Sequence, residues 1–324
     1  MSTLTYILIG IAIVILLLFI VALILAHMIL EALSRPIGEE NRRTYEFSRT
    51  EQEHIGEVDF AWYDSLPKEA FTLPCEGADL ACIYIPNPGG MKKCLIRAHG
   101  YTQNHFISVR YIDAFYEMGY SIVLFDQRYF GESTGERCTF GYQEKYDLLK
   151  LVTWARAKLG ADAIVGVHGE SMGGITALTA LCLGDSIDFV VSDCAPSDFY
   201  RGAKGLLRHR YRLPAFPVVP LMEKLCRSRG FSIKDIQPAK SVGESNTPIL
   251  FIHGDQDSQV PVAMVHELYA ASKNPLSRLE IFPGAEHGQS QAVDSERYKR
   301  IERAFVNSVE EAILCKKTNG NEKA

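Results

Sequence analysis

The sequence predicts an α/β protein: a mostly parallel central sheet with helices on both faces, a small helical cap, and one apolar N-terminal transmembrane helix. Three observations carry this. Short β-branched or aromatic runs recur from Phe71 to Phe282 with helix-period segments between them, the alternation that builds a parallel sheet covered on both sides. The interval 197–246 breaks that rhythm with a basic, Pro-containing insertion, long enough to fold over a site as a cap. The stretch from Met1 to Leu30 contains no Asp, Glu, Lys or Arg.

Ile7 to Leu25 is nearly continuous Ile, Leu, Val, Ala and Phe, interrupted by Gly10. About 20 such residues cross a bilayer core as a helix. A cleaved signal peptide would carry a basic start and an apolar run of only ~7–15 residues, and a buried soluble helix would show a polar face. Residues 1–30 therefore read as an uncleaved anchor. The segment 31–52 mixes Arg35, Arg42, Arg43 and Arg49 with Glu31, Glu39, Glu40 and Glu46 and reads as a solvated juxtamembrane linker. Only the α-amino group precedes the span, so the positive-inside rule places a single-pass protein in the cell membrane with its main domain cytoplasmic.

The main domain is expected over 53–314. Phe71–Leu73 and Leu80–Ile85 read as an opening antiparallel pair. Cys94–Ala98, Ser121–Phe125, Ala163–Val167, Phe189–Ser192, Ile249–Ile252 and Leu279–Phe282 read as buried strands. Leu148, Val152, Ala155 and Leu159 recur at helical spacing within Tyr142–Leu159, and Gly160 supplies the stop. In the insertion, the run Leu213–Met222 reads as packing within the cap, with lining of an acyl pocket as the alternative, and Arg201, Lys204, Arg208, His209, Arg210 and Arg212 as a solvated face. Residues 315–324 read as a polar, frayed tail.

With 34 Lys+Arg against 39 Asp+Glu, the chain has a formal charge of -5. No basic excess exists to neutralise phosphates, which argues against a nucleic-acid partner. The eight cysteines include no Cys-x-x-Cys, so zinc-knuckle and thioredoxin readings fail. Cys94, Cys182 and Cys194 lie in apolar patterns and read as reduced core thiols. His99 and His105 lack a completing set of metal ligands, and no cofactor is expected.

The chemistry centres on Gly169-Glu170-Ser171-Met172-Gly173-Gly174, which follows a strand-like run and opens a helix-like one. A serine flanked by glycines at a strand-to-helix switch is the pattern of a nucleophile elbow. The glycines let strand and helix approach, and the helix's first N–H groups favour developing negative charge. An acyl-transfer serine also needs a base, an acid to orient it, and oxyanion donors. Two downstream strand ends carry candidates: His253-Gly-Asp-Gln-Asp257 and Pro283-Gly-Ala-Glu-His287. Asp255 is a rival to Asp257 as the acid. His99, His168 and His253 read as hydrogen-bonding backbone, and Asp126 with Arg128 as a structural ion pair.

On these residues the chain resembles the α/β-hydrolase superfamily over roughly 70–310, and within it the membrane-anchored or prolyl-oligopeptidase-like serine hydrolases of bacteria. The order Ser, Asp, His matches that superfamily. The resemblance implies Ser171 as nucleophile, Asp257 as acid through His253-Gly-x-x-Asp-x-x-Val-Pro261, and His287 as base. His99-Gly100 falls where the oxyanion loop begins, which implies an oxyanion hole made by the N–H groups of Tyr101 and Met172. Asp126, Arg128, Gly131 and Ser133 match a further motif, with Tyr129-Phe130 departing from the usual small pair. The function implied is a membrane-anchored serine esterase acting on a small-molecule or lipid-like acyl ester. A peptidase or thioesterase with the same triad, or a non-catalytic lipid-binding module, are the alternatives.

Overall fold

The computed structural model describes residues 2–36, 48–50, 58–184, 186–209 and 212–321. Its centre is an eight-stranded sheet in the order β1-β2-β4-β3-β5-β6-β7-β8. The strands are β1 (Glu69–Cys75), β2 (Ala78–Ile85), β3 (Lys93–Ala98), β4 (Ser121–Phe125), β5 (Ile164–Glu170), β6 (Phe189–Asp193), β7 (Ile249–Gly254) and β8 (Arg278–Phe282). All eight expected strands are present. β2 runs antiparallel to both β1 and β4, and every other pairing is parallel. β3 to β7 are buried over nearly their whole length because helices cover both faces.

One face is covered by α2 (Glu144–Leu159), α3 (Met172–Ala180), α6 (Pro238–Glu244) and α7 (Ala263–Ala271). Leu148, Leu151, Val152 and Ala155 of α2 are buried on it. Gly160 ends α2 at φ 116°, a conformation that side chains disfavour. The other face is covered mainly by α8 (Ser295–Asn321), whose Tyr298, Phe305, Val306 and Val309 pack with Phe189, Leu250 and Phe282. Residues 315–321 thus continue α8 where a frayed tail was expected; 322–324 lie outside the described residues.

Chain order along the sheet reverses between β3 and β5: β4 lies to one side, β6 to the other. In parallel sheets such a switch opens a crevice at the carboxyl ends of the strands, where ligands bind. The loops after β3 and β5 meet there.

Two helices of the insertion, α4 (Phe199–His209) and α5 (Ala215–Ser228), lie over this end. The insertion's last helix, α6, belongs to the body instead, since Val242 packs in the sheet's own core. α1 (Thr3–Ser34) is one continuous helix, long and apolar enough to cross a membrane. It does not stop at residue 30. Ala22, Ala26, Leu30 and Ser34, spaced four apart and so on one stripe, are buried, the first three in the cluster that includes α5. The Ser34 carbonyl accepts from Cys138 N at 2.8 Å. Glu31 pairs with Arg229 at 2.5 Å and Arg137 at 3.5 Å, and Arg35 pairs with Glu136. Residues 31–34 are therefore docked helix with Arg35 as its cap, because Glu31 and Arg35 find partners on the domain. The rest of the expected linker, 37–47 and 51–52, lies outside the described residues.

Candidate active site

Ser171 sits at the carboxyl end of β5 with φ 51° and ψ -110°, a strained conformation for a residue with a side chain. Its N–H donates to Asp193 O at 2.8 Å and its carbonyl accepts from Ile175 N at 3.0 Å, which holds the turn. The flanking glycines answer a steric need. A Cβ on Gly169 would stand 2.2 Å from Gly173 O, and one on Gly173 would stand 2.0 Å from Ala98 O.

His287 Nε2 lies 2.9 Å from Ser171 Oγ, and His287 Nδ1 lies 2.7 Å from Asp257 Oδ2. Asp257 Oδ1 accepts the N–H groups of Gln259 and Val260, each at 2.8 Å, which fixes the carboxylate's rotation. Burial opposes charge on Asp257, but hydrogen bonds from His253 and His287 outweigh it and hold the carboxyl well below the usual range. Burial likewise opposes charge on His287. The bond to Asp257 and the negative charges of Asp257, Glu170 and Asp193 outweigh it, so its pKa lies above the ordinary histidine value. Asp255, the rival acid, turns away: its Oδ1 accepts Gly284 N at 2.7 Å.

The oxyanion-loop candidates lie in the same cavity, which both Tyr101 and Met172 line with Ser171 and His287. His99 holds that loop. Its Nε2 accepts Gln127 N at 2.8 Å, so Nδ1 carries the proton and donates to Gly100 O at 2.7 Å. Burial pushes this imidazole down to about 4, leaving it neutral at physiological pH. Gln127 in turn donates to His99 O and accepts from Thr176 of α3, tying loop to helix. Phe130 packs edge-on against His99 and Tyr101, behind the loop.

Several expectations need correction. Arg128 pairs with Asp147 at 2.7 Å, not with Asp126. Asp126 accepts His105 N at 2.8 Å and Glu132 N at 2.9 Å, and contacts His105 Nδ1 at 3.0 Å. The sharp turn at Gly131 allows this, since a Cβ there would stand 2.1 Å from Asp126 Oδ2. His168 does meet backbone indirectly through Arg97, but its own ring nitrogens face Arg97, Tyr298 and Glu302 side chains. Cys182 is exposed, whereas Cys94 and Cys194 are buried. Leu213, Val219 and Met222 line the cavity as well as packing the cap.

No local pattern announces the buried charged layer that lies behind Ser171, Asp257 and His287. Glu170 accepts Tyr111 Oη at 2.6 Å and Arg110 at 2.9 Å, and Arg110 also donates to Gly288 O at 3.1 Å. Gly288 follows His287, so this pair steadies the loop that carries His287. Burial would raise Glu170, yet Arg110, Arg97 and the Tyr111 hydroxyl bring it down to about 2. Asp193 is pushed up to about 6 by burial and by Glu170. These partners come from separate strands and helices, and no local spacing links them.

The region 94–217 matches the family model described as alpha/beta hydrolase fold, and 228–311 matches the dienelactone hydrolase family. The second match carries Asp257 and His287. The chain is 30% identical to the uncharacterized protein YqkD of Bacillus subtilis over 258 residues, covering 78% of this chain and 84% of that protein. It is 33% identical to thiohydrolase aneE of Aspergillus aculeatus over 104 residues, 31% of this chain and 33% of that protein. Among solved structures it resembles the Pyrococcus furiosus esterase Pf2001, with a TM-score of 0.63 and 24% identity over 79% of this chain and 93% of that one.

Proposed function

The chain belongs to the α/β-hydrolase superfamily, and from that premise we propose that it is a membrane-anchored serine hydrolase cleaving carboxylic esters. The observation that carries this reading is the unbroken relay from Asp257 through His287 to Ser171, at 2.7 and 2.9 Å, opening into an apolar cavity. His287 Nε2 takes the Ser171 proton as Oγ attacks the ester carbonyl. Asp257 keeps the imidazole in the tautomer that accepts at Nε2 and stabilises the imidazolium. The N–H groups of Tyr101 and Met172 hold the oxyanion. His287 then gives its proton to the leaving alcohol, and water, deprotonated by the same base, releases the acyl group. The anchor is α1, with the catalytic domain on the cytoplasmic side, as the arginines after the span favour.

A thioester is the second reading, favoured by the likeness to thiohydrolase aneE; the same triad serves both leaving groups. The test is turnover of p-nitrophenyl esters and matching thioesters by full-length protein and its Ser171→Ala variant. Serine-dependent ester turnover is the expected result. Turnover of thioesters alone would favour the second reading, and no serine-dependent turnover of either would refute both, leaving an amide substrate or a non-catalytic module.

A further inference from the structure

The cavity beside Ser171 has a volume of ≈ 310 Å³, and the cap supplies only part of its wall. Ile29, Leu30, Ala32 and Leu33, all from α1, supply another part. These residues lie just beyond the continuous apolar run of the span, on turns of α1 that are fixed to the domain. Leu30 and Ser34 are in the buried stripe, Glu31 is clamped by Arg229 and Arg137, and Leu33 O accepts the Tyr101 hydroxyl at 2.7 Å. The same Tyr101 is the residue after His99-Gly100 whose N–H the proposed mechanism uses. The helix therefore reaches both the acyl side and the oxyanion side of the site.

Depth follows from helix geometry. Ile29 lies four residues past Leu25, the end of the apolar run, which is about 6 Å at ~1.5 Å per residue. The headgroup zone occupies about 5–7 Å on each side of the hydrocarbon core. With the span ending at Leu25, the cavity wall would fall at the depth where the ester groups of membrane amphiphiles lie. Its volume lies in the range of pockets that hold small molecules, about 300–1,000 Å³, which suits a medium-length acyl chain.

We propose that the last turns of α1 form part of the acyl-binding site, so that the enzyme takes a medium-chain acyl ester lying at the membrane interface and its anchor helps decide which chain fits. This rests on the serine-hydrolase reading above. The test uses the full-length protein in phosphatidylcholine vesicles and a decyl fluorophosphonate with a diazirine at the chain end. The phosphonate labels Ser171, and irradiation then marks whatever the chain end touches. An adduct within residues 28–35 is expected. Labelled Ser171 with adducts confined to α4 and α5 would overturn the proposal alone, whereas failure to label Ser171 would overturn the hydrolase reading and this with it. As a second readout, Ala32→Trp should lower the ratio of kcat/KM for decanoate over acetate at least about tenfold. An unchanged ratio would overturn the proposal.

Discussion

Replacing Asp257 with Asn removes a charge while keeping the shape, and the surrounding bonds fix how the amide must sit. Gln259 and Val260 both donate their N–H groups to Oδ1 at 2.8 Å. The amide oxygen must stay there, because a flipped amide would set its NH₂ against two N–H donors. The NH₂ then replaces Oδ2 and faces His287 Nδ1, now 2.7 Å from a carboxylate oxygen. Two donors cannot meet, so the imidazole adopts the other tautomer, with its proton on Nε2, and can no longer accept the Ser171 proton. For the wrong tautomer with intact geometry the loss in serine hydrolases is about 10⁴-fold in kcat, or about 5.5 kcal/mol of transition-state stabilisation. The pH profile moves too. In the native enzyme His287 must be neutral to act, so activity falls as pH drops through a pKa raised above the ordinary histidine value. Without the carboxylate, burial remains and the largest opposing causes are gone, so the residual activity's acid limb shifts to lower pH. The assay is kcat/KM on a p-nitrophenyl ester from about pH 5 to about pH 10. A loss under about tenfold, or an acid limb that stays in place, would refute the argument.

Other substitutions probe separate parts of the reasoning. Ser171→Ala and His287→Ala should each lower kcat by at least about 10⁴-fold with an unchanged denaturation midpoint; near-normal turnover in either would count against the triad. Gly173→Ala would put a Cβ 2.0 Å from Ala98 O and 2.8 Å from His99 O. It should cost about 1–3 kcal/mol by urea denaturation and lower turnover, because the end of β3 carries the oxyanion loop. Arg128→Ala strands the buried Asp147 carboxylate and should cost about 3–5 kcal/mol in the same assay, while Asp126→Asn should leave the Arg128 pair intact.

Every strand was legible because each is a short apolar run bounded by turn residues, and the parallel order followed from the helices between them. Ser171, Asp257 and His287 were legible for a similar reason. Each lies on a strand-end loop with a local signature, so sequence distance does not hide it. Glu170, Arg110 and Asp193 have no such signature. Their roles come from contacts made across β5, β6 and the segment after β3, which only the fold assembles. The anchor's boundary failed in another way. Charge at Glu31 and Arg35 reads as solvent-facing, and nothing nearby announces that Arg137 and Arg229 wait as partners for the one and Glu136 for the other, more than a hundred residues away.

A helix held this firmly at one end behaves as a lever. If α1 crosses a bilayer, its apolar stretch tilts when the hydrocarbon layer is thinner than the stretch is long. The Glu31 clamp and the buried stripe tie helix to domain, so the domain would lean with it. Membrane thickness would then set the attitude of the whole catalytic body, lifting or lowering the opening above Ser171 without any change inside the fold.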